Sequence, residues 1–322
     1  MNKYFYRLSF IFLFVMLLAC KNKQENNSEE INSKVDKMIL EMTLEEKVGQ
    51  MTQLNLDVIS VGEIYKLKEP HQLDEKKLRK AIIEYKVGSI LNCGGHTYDI
   101  KHWNEIIEKI QTLATKETRL KIPVLYGIDA IHGVNYTVGA TLFPQPLAQA
   151  ATWNPDLIEK IASTTAYEVR ASGIPWNFSP VIDIGRQPLW SRFFETYGED
   201  VYLASEMSEA CIKGYQGNDV SNKFKVAACM KHFLGYSLPM SGKDRTPAWI
   251  PERELREYFL PTFKRAIETG AKTVMINSGE INGIPVHANK KILVDLLRNE
   301  LKFTGVAVTD WEDIIKLHKI HH

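Results

Sequence analysis

The stretch Val226-Ala227-Ala228-Cys229-Met230 runs five apolar residues without interruption and then meets Lys231-His232-Phe233. A strand with one wet face alternates, so an unbroken apolar run marks a strand covered on both faces, as in a parallel sheet wrapped by helices. Comparable short runs lie on either side: 87–92, 123–129, 176–182, 273–277 and 305–309. Between them fall helical segments over 73–85, 101–115, 154–172 with Pro155 in the first turn, 201–216, 251–268 and 289–301. Thr43 followed by Glu46 adds a capping-box start for a helix near Leu44. Strand and helix in strict alternation predict an α/β fold with a parallel sheet.

Polar residues gather where the apolar runs end: Asp129, Asp183, Lys231 with His232, Asn277 and Asp310. In a parallel barrel every such position opens onto the C-terminal rim, whereas a doubly wound sheet exposes only those at its switch point. Five chemically useful positions on five strands favour a TIM-like (β/α) barrel. The elements fall short of eight pairs, so the barrel is expected to be truncated before its last strand and helix. The expected organisation is a leader over 1–20, a polar tether over 21–35 and the incomplete barrel over 36–322.

Forty Lys and Arg against 39 Asp and Glu leave a net charge of +1 over 322 residues, which gives no electrostatic case for nucleic acid or an anionic membrane surface. At 44% hydrophobic the chain is too apolar to be disordered. Lys3 and Arg7 precede an apolar run from Leu8 to Ala19 broken only by Ser9, which fits a secretory signal and is too short to span a bilayer. Leu17-Leu18-Ala19-Cys20 resembles the lipobox of bacterial lipoproteins, implying lipidation at Cys20 and an exported protein held at the periplasm or outer membrane by a lipid anchor.

Cys93, Cys211 and Cys229 are odd in number, show no C-x-x-C spacing and read as small buried hydrophobes. No G-x-G-x-x-G follows a strand, no H-E-x-x-H occurs, and Gly235 to Asp244 misses phosphate-loop spacing. The terminal His318, His321 and His322 read as a solvated helix face. Neither a metal nor a cofactor is expected.

Strand-end carboxylates beside a Lys-His pair, several Trp and no metal framework point toward sugar chemistry, where a carboxylate attacks or stabilises an oxocarbenium-like centre. From about Ile39 to His318 the sequence resembles the N-terminal barrel of glycoside hydrolase family 3, on the β-glucosidase side of that family. The resemblance rests on 127–133 (GIDAIHG), 194–200 (FETYGED), 231–233 (KHF), 281–285 (INGIP) and 309–311 (TDW). It implies a retaining, exo-acting hydrolase of terminal β-D-glucosyl residues, with a β-glucoside or β-linked glucooligosaccharide as partner.

Residue by residue, Asp310 matches the family's nucleophile, although an Asp after a strand also reads as the N-cap of a helix opening at Trp311. Asp129, Lys231 and His232 match positions that bind sugar hydroxyls. Arg192 matches the arginine of a Trp-Gly-Arg element, from which Gln187, Leu189 and Ser191 depart. Trp311 offers a flat face to a sugar ring or aglycone, with core packing as the alternative. A retaining enzyme also needs a proton donor about 5 to 5.5 Å from the nucleophile. The loop from Leu234 to Trp249 has no histidine, which excludes the family's Asp-x-His dyad, so the donor is expected on a C-terminal domain missing from this chain. Within the chain, Glu280, Asp244 and Glu312 are the fallback candidates. The other readings are a β-xylosidase or N-acetylhexosaminidase of the same family, or a catalytically incomplete sugar-binding lipoprotein.

Overall fold

The computed structural model describes residues 30–321. Seven strands form its main sheet: β1 (Gln53–Asn55), β2 (Ser89–Leu91), β3 (Leu125–Ile128), β4 (Trp176–Asn177), β5 (Ala227–Phe233), β6 (Thr273–Ile276) and β7 (Val306–Val308). Their order in space is their order in the chain, and every pairing is parallel. A doubly wound sheet would reverse its order at a switch point. This winding is therefore that of a barrel, as expected, but among the described residues it stops at a curled seven-stranded arc in which β1 and β7 do not pair.

The helices fall close to their sequence-based bounds. Ile100–Glu117, Pro155–Ala171 and Val201–Gln216 each start at a side-chain cap: Asp99 accepts from His102 N at 2.7 Å, Asn154 from Leu157 N at 3.1 Å and Asp200 from Leu203 N at 2.6 Å. The capping box at Thr43 and Glu46 forms as read. Pro155–Ala171 and Val201–Gln216 pack tightly because residue 214 is glycine, where a Cβ would sit 2.4 Å from the Glu159 carbonyl.

Three differences from the sequence reading have physical causes. Strand β1 was not anticipated, because Gln53–Asn55 is short and carries two polar residues, so it makes no apolar run. Regular pairing of β4 ends at Asn177, well before Ile182, where Pro180 offers no N–H to a ladder. The last helix begins at Asp313, after Glu312 in a left-handed conformation (φ 59°), and Asp310 does not cap it with its side chain. Residues 30–41, partly assigned to the tether, form an exposed helix, while Cys20 and the leader lie outside the described residues.

The core has two layers. Outside the arc, Tyr126, Ile128, Met230 and Val274 pack against helix residues such as Trp103, Ile158, Ala166 and Phe263. On the concave side Trp176, Phe178, Cys229 and Met275 form a second cluster with Leu91 and Val308 at its margin. Trp176 Nε1 satisfies its buried donor on Thr273 Oγ1 at 2.8 Å. Gly127 in β3 makes room for the Phe178 ring, which a Cβ there would meet at 2.3 Å. Cys93, Cys211 and Cys229 are buried free thiols, as read, and burial pushes each up to about 12. At the β7 edge, Val306, Ile314, Ile315 and Ile320 are exposed.

Candidate active site

Parallel strands in chain order bring their C-terminal ends to one rim, and the polar residues there build the site. Asp129 follows β3. Its Oδ1 accepts from Lys231 Nζ at 2.5 Å and its Oδ2 from Asn92 Nδ2 at 2.7 Å, while Asn92 Oδ1 holds the Asp129 N–H at 2.9 Å. Lys231, projecting from β5, is only 2% exposed, so its ammonium needs this partner. Burial alone would raise the Asp129 carboxyl, but the Lys231 charge and the Asn92 hydrogen bond outweigh it and hold the group below its ordinary value.

His232, the next residue on β5, is fully buried. Its backbone N–H donates to Asp183 Oδ2 at 2.9 Å, and its ring Nδ1 lies 2.8 Å from the same oxygen. Burial pushes the Asp183 carboxyl up to about 8 against that backbone hydrogen bond. Burial, then the charges of Arg192, Lys231 and Arg245, hold the His232 ring well below its ordinary value. An imidazolium–carboxylate pair would shift both groups the other way. Desolvation wins here and disfavours the charged form of each partner.

Asp310 follows β7 and is 11% exposed at its side chain. Oδ1 accepts from the Trp311 N–H at 2.5 Å and from Arg245 Nη2 at 3.1 Å. Oδ2 is buried without a hydrogen-bond partner and faces Arg192 Nη1 and His232 Nε2, each at 3.9 Å. Arg192 is aimed by a two-pronged contact with Glu195, at 2.9 and 2.8 Å, within the turn Phe193–Glu195. Tyr236 completes this wall, its ring 4.7 Å from that of His232 and 5.3 Å from that of Trp190.

The structure thus brings Arg192 and His232 each within 4 Å of Asp310, and couples Lys231 to Asp129 beside them. Trp311 is 37% exposed, with its backbone N–H on Asp310 and its carbonyl on Arg245 and Lys316, so it is not packed in the core. Asn277 turns instead to the backbone, donating to the Leu234 carbonyl at 2.8 Å and accepting from Gly279 N at 2.6 Å. Of the fallback carboxylates, Asp244 accepts from Trp190 Nε1 at 2.8 Å, Glu280 contacts His321 at 2.9 Å and Glu312 is exposed.

Three participants escaped the sequence reading. Asn92 stands just past the end of β2, and its place after an apolar run was the available signal. Arg245 and Tyr236 lie in the loop after β5 and gave none.

The chain matches the description "Glycosyl hydrolase family 3 N terminal domain" over residues 43–322. It is 45% identical over 320 residues to a lysosomal beta glucosidase of Dictyostelium discoideum, an alignment covering 93% of this chain and 38% of that protein. A periplasmic beta-glucosidase of Salmonella typhimurium is 30% identical over 88% of this chain and 34% of its own length. A beta-xylosidase of Formosa agariphila is 33% identical over 96% of this chain and 36% of its own length. Among solved structures, beta-glucosidase from Listeria innocua in complex with glucose superimposes with a TM-score of 0.76 at 32% identity, over 89% of this chain and 38% of that one. The chain therefore spans under two fifths of the length of each of these proteins. A match over that much of the chain, joined to a structural likeness of this quality, means that the chain belongs to glycosyl hydrolase family 3 and carries that family's N-terminal domain.

Proposed function

We propose that this chain supplies the sugar-binding rim and the nucleophile of a retaining, exo-acting β-glucosidase. The observation that carries the reading is Asp310 Oδ2: a buried carboxylate oxygen at a strand end, without a hydrogen-bond partner, between Arg192 and His232. A rigid, desolvated carboxylate is what attack on an anomeric carbon requires. Asp129, Lys231, His232 and Arg192 hold the hydroxyls of the terminal sugar, and Trp311 offers its face to the group that leaves.

The proton donor, in this reading, comes from a part of the full protein outside residues 30–321. In support, four carboxylates around the site are engaged: Asp129 by Lys231, Glu195 by Arg192, Asp183 by His232 and Asp244 by Trp190. The same further chain would close the sheet, and the exposed apolar residues at the β7 edge fit a surface meant to be covered. The basic, apolar leader and Cys20 support export as a lipid-anchored protein, and the periplasmic relative is compatible with export.

A 2-deoxy-2-fluoroglucoside with a dinitrophenyl leaving group tests the nucleophile directly, since it needs no proton donor and its glycosyl-enzyme is long-lived. Peptide mapping is expected to place the sugar on Asp310. A label on another carboxylate overturns the assignment, and absence of labelling in the folded protein favours a non-catalytic sugar-binding role. The β-xylosidase relative supports one second reading, which matched aryl glucosides and xylosides distinguish by kcat/KM.

A further inference from the structure

Arg245 stands outside every motif that carried the sequence reading, in the loop between β5 and the helical segment 252–268. Its Nη2 reaches Asp310 Oδ1 at 3.1 Å, and its Nη1 reaches Ser278 Oγ at 3.0 Å, the Trp311 carbonyl at 3.0 Å and Asp313 Oδ1 at 3.4 Å. One guanidinium thus ties together the loops that follow β5, β6 and β7. Its own loop is pinned by the hairpin Glu280–Ile281 and Ile284–Pro285: Ala248 N donates to the Glu280 carbonyl at 2.9 Å, and the Asn282 amide holds the Ile250 N–H and carbonyl at 2.8 and 2.7 Å. The two oxygens of Asp310 are consequently inequivalent, Oδ1 held by Arg245 and Trp311 N, Oδ2 without a hydrogen-bond partner.

We propose that Arg245 is a positioning residue that anchors Asp310 through Oδ1 and so makes Oδ2 the oxygen that attacks the anomeric carbon, an inference that rests on Asp310 being the nucleophile. In the first step the Oδ2–carbon bond forms as the bond to the leaving oxygen breaks, and that oxygen departs with the electron pair. Oδ1 becomes the carbonyl oxygen of the resulting ester and keeps its contact with Arg245. In the second step water adds to the anomeric carbon and gives a proton to a base, the carbon–Oδ2 bond breaks, and its electron pair returns to the carboxylate. Arg245 stabilises the charge that then returns to Oδ1. In the first step the same contact also stabilises the attacking carboxylate in the ground state, which offsets its benefit. Loss of the guanidinium therefore slows the second step more than the first.

The experiment uses the protein expressed from its complete gene, with 2,4-dinitrophenyl β-D-glucoside, whose leaving group departs unprotonated. Arg245→Met is expected to keep a burst of dinitrophenolate while steady-state turnover falls about a hundredfold, the scale of losing one preorganised donor, with KM falling in parallel as the glycosyl-enzyme accumulates. Arg245→Lys, which restores a charge and guards against a folding defect in the first variant, is expected to recover about a tenth of the lost rate. Unchanged turnover in both variants, or equal losses in burst and steady state with an unchanged KM, overturns the proposal. Fluoroglucoside labelling of the unmutated protein separates the two layers, because a label away from Asp310 removes the nucleophile reading itself, whereas a label on Asp310 with indifferent Arg245 variants removes this inference alone.

Discussion

Asp310 Oδ2 and His232 Nε2 face each other at 3.9 Å, and both atoms are buried without a hydrogen-bond partner in the protein. The separation is too long for a direct bond and suits a single bridging hydroxyl. The other ring nitrogen of His232 is committed to Asp183 and the other oxygen of Asp310 to Arg245, so neither side chain is free to turn away.

From this arrangement Asp310→Asn is expected to abolish turnover while leaving the fold intact. The amide keeps the shape and an acceptor for the Trp311 and Arg245 donors, and loses the nucleophilic charge together with its ion pairs to Arg192 and Arg245. Steady-state rates on an activated aryl glucoside should fall by about three orders of magnitude or more. Thermal unfolding should change little. Near-normal rates in this variant would remove Asp310 from the chemistry.

Lys231 and Asp129 are expected to behave as a unit. Lys231→Met strands a carboxylate whose cation is gone and should cost roughly 3–5 kcal/mol, the scale of breaking a buried pair from one side. The double variant Lys231→Met with Asp129→Asn should recover part of that loss while remaining defective in sugar binding. Urea unfolding of the three proteins decides the point, and equal destabilisation of single and double variants would refute the coupling.

Asp183 carries a pH signature. Its folded carboxyl is raised to about 8 by burial, whereas an unfolded Asp titrates near 3.9. Between those values the folded Asp183 carboxyl holds a proton that the unfolded one has lost, a contribution complete below about pH 4 and gone once pH rises through about 8. Below about pH 6.5 the unfolded His232 ring carries a proton that its depressed folded ring lacks, so the net decline falls between about 6.5 and 8. Asp183→Asn, which imitates the protonated acid, should flatten that decline. Denaturant midpoints at pH 5, 7 and 8.5 provide the check, and parallel curves for the two proteins would show that Asp183 is ionised throughout.

Cys20 governs location in the proposed reading. Cys20→Ser should move the protein from the membrane to the soluble periplasmic fraction or leave an unprocessed precursor. Mass spectrometry of the unmutated protein finding a mature N-terminus anywhere else would rule the lipid anchor out.

The legible part of this molecule lay in local pattern. Unbroken apolar runs such as Val226–Met230 identified six of the seven strands, because a strand covered on both faces can tolerate little else. Pro155 in a first turn and the capping box at Thr43 marked helix starts, because both act within one turn of the chain. Strand β1 stayed hidden because Gln53–Asn55 is held by pairing with β2 rather than by its own apolarity.

For the site, the same locality set the boundary. Asp129, Lys231, His232 and Asp310 could be picked out by sequence alone, since each ends a strand and the fold sends strand ends to one rim. What the sequence could not decide was which of these side chains are paired, which are held, and by what. The pairing of Lys231 with Asp129 spans 102 positions in the chain, and the hold of Arg245 on Asp310 spans 65. Both depend on strand order and on a loop clamped by a hairpin, so only the tertiary structure decides them.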